Sequence, residues 1–333
     1  MAVDPVKFED ALEALVRAAT DQPVAAGLAW LSVAFSPAML ASATGLSFEP
    51  LQILPSLAFG ALYYVRARTL ERHGRAVPRW RQWCFYSGLA LIVATLVSPL
   101  GTLSDELFFA HMAEHLLLAD IGALLLVLGL TGPLLAPLLR NPALGWVRHL
   151  AHPVPALALW SADLLFWHLI GPHELAVRND VVHAIQHMVF VGLAINMWMA
   201  LLGPLPKPAW FGNLAKLVYI VGVRFVSTVL ANVFVWTGGA FFDVYRAGEH
   251  THDISPHADQ VVAGSIMMVE GSILTICLFG WLFLRSAREG QERQELLELA
   301  AAGGVALDER RAARAVAAGR GGELRRRIES GGG

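Results

Sequence analysis

The chain has 333 residues, of which 56% are apolar and only 16% charged, with a formal net charge of −2. A soluble domain is nearer a quarter charged, so this composition excludes an ordinary soluble globule, and the balanced charge gives no reason to expect a nucleic-acid partner. Two cysteines, Cys84 and Cys277, lie far apart without CxxC spacing, which excludes a disulfide framework and a thiolate metal site.

The first 47 residues hold an acidic start (Asp4, Glu9, Asp10, Glu13, Asp21) and a weak apolar stretch at 24–44. That stretch reads either as an extra span or as an uncleaved signal anchor; the acids before it are wrong for a cleaved signal peptide. Seven stronger apolar segments follow, at 49–66, 84–104, 108–137, 153–172, 181–204, 217–239 and 261–284. Each is long enough to cross about 30 Å of hydrocarbon at about 1.5 Å per residue. The expected fold is therefore an all-α integral membrane bundle of seven transmembrane helices, eight if 24–44 crosses, occupying 48–285. Residues 286–333 are an arginine-rich, charged tail expected to be partly helical and solvated.

Arginines and lysines in short loops set orientation. Arg66, Arg68, Arg72, Arg75, Arg79 and Arg81 crowd the first loop, and Arg140, Arg148, Lys207, Lys216 and the tail fall on the same side. The opposite side has Arg178 and Arg246. The arginine-rich side, tail included, is expected to be cytoplasmic. Nine of the 12 histidines then gather at the outer face, leaving His73, His149 and His152 inside.

Two stretches at that face share a pattern. HMAEHLLL, from His111, and HAIQHMVF, from His183, each put two histidines four residues apart, about one helical turn, so each pair lies on one helix face. A helical i, i+4 pair gives two imidazoles to one ion, and imidazole suits copper and zinc, while thioether sulfur favours Cu(I). His111, His115, His183 and His187 are thus the expected metal ligands. Met112 and Met188 stand close enough to help, His168 and Met112 are further candidate ligands, and His252 and His257 form a candidate access relay. The bland alternative is that they are interfacial polar residues satisfied by water, which two matched pairs make less economical than one histidine would.

HMAEH also fits the HxxEH pattern of inverted zinc peptidases, with Glu114 as general base, although the second stretch has Gln186 at that position. Bis-histidine haem is a third reading, but it leaves the i+4 partner of each pair unexplained. Asp120, Asp163, Arg224 and Glu270 lie inside spans, where they read either as packing pairs or as a polar route for ions or protons. Asp259 is expected to cap the last span or to orient a ligating imidazole. No nucleophile–base constellation and no phosphate loop is present, so no catalysis is expected.

With these residues placed, the chain resembles the multi-spanning CtaG family of caa(3)-type cytochrome c oxidase assembly factors. The likeness runs through FEPLQILPSLAFGALYYVRARTL at 48–70, FFAHMAEHLLL at 108–118, LLFWHLIGPHEL at 164–175, VVHAIQHMVFVGLAINMWMALLGP at 181–204 and ADQVVAGSIMMVEGS at 258–272. The resemblance implies a multi-pass protein of the bacterial cell (inner) membrane that helps mature a haem–copper oxidase, with copper as the metal. The implied partners are the oxidase subunit that carries the haem–copper centre and, as a further candidate, a copper chaperone.

Overall fold

The computed structural model describes residues 50–141, 152–317 and 319–330; the apolar stretch at 24–44 and His149 lie outside them. Among the described residues the chain is all-helical. It divides into two compact units, one containing Val218–Ile273 and everything described up to Phe211, the other Gly212–Leu217 with the residues from Leu274 on.

The chain begins with α1 (Pro50–Arg72) and α2 (Arg79–Val97), which cover the first expected span and most of the second. Ser98 and Pro99 then break the second span. Pro99 cannot donate a backbone hydrogen bond, and Ser98 instead accepts from Leu100 N and caps the short α3 (Pro99–Ser104). The histidine-bearing α4 (Phe108–Gly129) ends sooner than the expected 108–137, because Leu130 turns extended and Pro133 restarts the chain as α5 (Gly132–Arg140). The carbonyls exposed at that break are taken by arginine. Arg81 donates to Leu128 O and Leu130 O at 2.9 and 2.8 Å, and Arg66 donates to Pro133 O at 3.0 Å. Part of the arginine excess in the first loop therefore caps helix ends.

The expected span 153–172 is also broken. It consists of α6 (Pro153–Trp167) and α7 (Ile170–Arg178), which meet at 72°. The helix α8 (Asp180–Leu201) starts where Asn179 accepts from the backbone of Val181 and Val182, both at 3.1 Å. Then come α9 (Asn213–Trp236), a single 3₁₀ turn at Asp243–Tyr245, the short α10 (Arg246–Thr251) and the long α11 (Pro256–Ala302). By length and apolar composition four helices could cross a membrane, namely α4, α8, α9 and α11, and a fifth if the bent α6–α7 pair is one span. Among the described residues that measure supports four or five spans and leaves the count of seven open, because α1 and α2 are helical but less apolar and the α6–α7 pair is bent.

The second unit holds the tail. Its helices α12 (Glu309–Ala317) and α13 (Gly321–Glu329) fold back so that Leu296, Ala300, Val316, Leu324 and Ile328 form a small core. Arg325–Glu295 at 2.6 Å and Arg293–Glu309 at 3.5 Å tie its surface. The tail's alternating charge is thus the outer face of a small helical fold.

In the first unit the approach of α2 to α4 is set by a small residue, as is usual where membrane helices pack closely. A Cβ at Gly88 would come within 2.9 Å of Gly122 O and of Leu126 N, both backbone atoms that cannot yield. Gly88→Val is therefore expected to lower stability by about 1–3 kcal/mol, read as a lower thermal midpoint in detergent. Gly171→Ala, with open space around its Cβ, should leave the midpoint unchanged.

Candidate metal centre

The starts of α4, α8 and α11 and the end of α6 come together in the first unit, and each brings histidine or its support. The first turn of α4 has no cap of its own, since the preceding residue is Leu107. Asp259, in the first turn of α11, supplies one across 150 residues of sequence, accepting from Phe108 N at 2.8 Å and Phe109 N at 2.7 Å. It therefore caps α4, where the sequence suggested its own helix or an imidazole. The neighbouring Gln260 donates to Phe234 O and Gly239 O and accepts from Phe241 N. This pins the end of α9. At Gly264 a Cβ would lie 2.7 Å from Ala231 O, so α9 and α11 touch backbone to backbone. The DQ-x-x-AG stretch is in this way a clamp that fixes where α4 begins.

So positioned, α4 turns His111 and His115 into the core, with 0% and 2% of their surface exposed. His183 and His187 of α8 meet them. The His111 and His183 rings stack at 5.4 Å between centroids, and those of His115 and His187 lie 5.0 Å apart and nearly perpendicular. Within each pair the rings are 4.3 Å apart. Donor atoms of His111, His115 and His183 lie within 4.8 Å of one another, and so do those of Glu114, His183 and His187. Both ring nitrogens of His111 and of His115 are buried without a hydrogen-bond partner. Glu114, itself buried, is 3.9 Å from His187 Nε2, so it faces the opposite pair.

The surrounding groups fix the tautomers of two of the imidazoles. A ligating imidazole typically donates its other N–H to an oxygen. His187 Nδ1 lies 2.5 Å from Gln52 Oε1 and His168 Nδ1 2.6 Å from Leu164 O. Since an oxygen of this kind can only accept, Nδ1 holds the proton and Nε2 is the free lone pair. An apolar groove of about 320 Å³, lined among others by Gln52, Phe59, Leu96, His187 and Val191, reaches His187. Asp105, in the turn before α4, stands 3.9 Å from His183 Nδ1, and partial burial, with Asp180 and Glu106 adding their negative charge, pushes its carboxyl up to about 6.

Of the other expected site residues, Met112 and His168 are buried beside the four imidazoles, with Met112 Sδ 3.3 Å from His168 Nε2. His252 turns away to Glu106, at 2.6 Å, and His257 is partly buried; neither belongs to the two donor groups found among the described residues. Met188 points outward, 43% exposed. Asp120 and Glu270 hydrogen-bond to each other, with Arg224 alongside donating to Met268 O at 2.7 Å. Asp163 stays apart and bonds Trp167. Asp120 sits in a π-helical stretch, Leu116–Gly122, that directly follows His115; Trp198 donates to Ala119 O there, at 3.2 Å.

Two supporting residues were given no role in the sequence reading, where His173 is only one of the nine outer histidines. His173 is fully buried 4.9 Å from the His111 ring, donates from Nδ1 to Trp167 O at 3.2 Å and accepts from the Tyr245 hydroxyl at 2.8 Å. Both its nitrogens are engaged, so it supports the cluster from behind. Gln52 is the other. Nothing local marks either one, because their partners are 72 and 135 residues away.

The fold and site define a helical membrane protein with a buried histidine cluster at one end of its bundle. The profile of the cytochrome c oxidase caa3 assembly factors (Caa3_CtaG) matches residues 61–289, and the chain belongs to that family. It is also similar to an uncharacterized protein of Mycobacterium leprae, 24% identical over 73% of this chain and 39% of that one. Uncharacterized proteins of Mycobacterium bovis and Mycobacterium tuberculosis are each 26% identical over 63% of this chain and 34% of theirs. The chain thus spans little more than a third of the length of these curated relatives. No solved structure matches it.

Asp259→Ala removes both acceptors from the start of α4 and leaves two buried N–H groups bare. It is expected to cost about 1–3 kcal/mol, read as a lower thermal midpoint in detergent. Asp259→Asn, which keeps one acceptor, should lose less.

Proposed function

We propose that the protein is an oxidase assembly factor that binds copper through His111, His115, His183 and His187 and passes it to the oxidase subunit carrying the haem–copper centre. The observation that carries this reading is the meeting of two i, i+4 pairs with buried, unpartnered nitrogens. Imidazole lone pairs are suitable copper ligands, and unpartnered polar groups in an apolar core are costly unless something binds them. Four neutral nitrogens and one carboxylate, Glu114, make an exchangeable donor set, which suits an ion that has to leave again. Cys84 and Cys277 belong to neither donor group, so the ion is not held by thiolate. In this reading the bundle of 48–285 crosses the membrane seven times, with α1 and α2 as spans whose exposed apolar side chains face lipid. The histidines then face outward and the tail faces the cytoplasm. A copper chaperone supplies the ion.

The peptidase reading draws on Glu114, which lies in the donor group with His183 and His187. A zinc site there would use it as a base toward bound water.

Metal analysis and an absorption spectrum on the purified full chain separate these readings. The wild type is expected to retain copper. His111→Ala and His183→Ala should each weaken it by at least the roughly 10–100-fold that loss of a supporting partner costs a metal site, and in cells should leave oxidase subunits present with low copper and low activity. Zinc retained together with a hydrolytic activity abolished by Glu114→Gln would give the peptidase reading, and a Soret band would give haem. Wild-type protein without metal after copper loading would overturn the proposal.

A further inference from the structure

His168 and Met112 pose a problem that the four-imidazole site does not solve. The helix α6 ends at Trp167, so the carbonyl of Leu164 lacks a continuing helical partner, and the His168 ring fills that place with Nδ1 at 2.6 Å. A carbonyl only accepts, so the proton is on Nδ1 and the neutral ring presents a bare lone pair at Nε2. That lone pair points at the Met112 sulfur, 3.3 Å away. A thioether has lone pairs and no proton. Two acceptors therefore face each other in a place where Met112 is 1% and His168 8% exposed. A second proton on the ring would relieve the contact only by burying a cation among imidazoles, which is costly.

We infer that Met112, His168 and His115 form a second site, for Cu(I), beside the four-histidine site; the inference rests on the copper reading above. Met112 and His115 are three residues apart on one face of α4, and His168 meets them from the bend between α6 and α7. Metal–nitrogen and metal–sulfur bonds of about 2.0 and 2.3 Å joined at one ion at about 100–120° put the two donors about 3.3–3.7 Å apart, which includes the distance found here. The His115 and His168 rings are 6.5 Å apart between centroids and perpendicular, close enough for both to reach one ion. A thioether in the donor set selects the soft cuprous ion against zinc.

His115 belongs to both sites, since it is also grouped with His111 and His183. It can hold the ion while its neighbours change: the copper bonds to Met112 and His168 break as copper–nitrogen bonds to His111 and His183 form. Copper stays Cu(I) throughout, and no electron or proton is needed. The soft site is thus the selective half of a two-position relay.

The test loads the purified full chain with Cu(I) under reductant and, separately, with Zn(II), then counts metal and reads the copper neighbours by X-ray absorption. Expected for the wild type is a sulfur neighbour in the Cu(I) form. Met112→Leu, of nearly the same volume, should abolish that sulfur signal and weaken Cu(I) binding by about 10-fold or more while zinc uptake stays at the wild-type level. His168→Gln should weaken Cu(I) binding likewise. A wild-type Cu(I) form with nitrogen neighbours alone, or a sulfur signal that survives Met112→Leu, overturns the second site and leaves the four-histidine proposal standing. A wild type that takes up neither metal overturns both.

Discussion

A buried imidazole has two ring nitrogens that need partners, and the placing of six such rings at one end of the bundle is the constraint on which the rest depends. Each buried polar group left alone costs roughly 1–3 kcal/mol. His173 meets the demand fully, through Trp167 O and the Tyr245 hydroxyl. His168 and His187 each give one nitrogen to an oxygen. His111 and His115, the innermost, satisfy neither. A core built only for stability would replace them with leucine or phenylalanine, as the surroundings of Phe108, Phe190 and Phe234 show is possible. The cluster is instead kept at a cost, and such a cost is characteristic of a site.

Holding that cluster requires the backbone to depart from straight helices, and the departures gather around it. The 72° bend after Trp167 frees the Leu164 carbonyl for His168 and brings His173 back toward the cluster. The π stretch after His115 shifts the register of α4, so that the histidines above it and Asp120 within it can both face the bundle interior. Its loosened carbonyl at Ala119 is taken by Trp198. Asp259 fixes where α4 starts, and hence how far His111 penetrates. Remove any of these and the rings remain in the sequence but lose their mutual distances.

The sequence made legible what repeats locally: the i, i+4 histidine pairs, their position at helix starts, the all-helical class and the family likeness. It was less informative wherever a partner lies far along the chain. Asp259 reads as a cap for its own helix, since Pro256–Asp259 is a first turn, and only folding shows that its carboxylate serves Phe108 and Phe109. Gln52 and Tyr245 look like ordinary residues until their imidazoles arrive. Breaks were hidden for another reason. Hydropathy is blind to the direction of the chain, so 108–137 and 153–172 read as single apolar runs although one turns extended at Leu130 and the other bends at His168. The polar residues inside the spans were visible but not their pairing: Asp120, Glu270 and Arg224 converge, while Asp163 finds Trp167 on its own helix.

That convergence bears on how the cluster is kept separate from the rest of the bundle. Asp120 and Glu270 hydrogen-bond to each other and Arg224 lies beside them, so these charged groups of the spans engage one another rather than the imidazoles farther up α4. In the proposed copper reading, affinity is set by the cluster's own donors, and Glu114 is the one carboxylate in the two donor groups. An ionised Glu114 against a cuprous ion would give local neutrality, which a buried site needs if the ion is to enter without a large desolvation cost. A cupric or zinc ion would leave one positive charge uncompensated. In the proposed relay, charge balance at Glu114 and the softness of Met112 therefore favour the same ion.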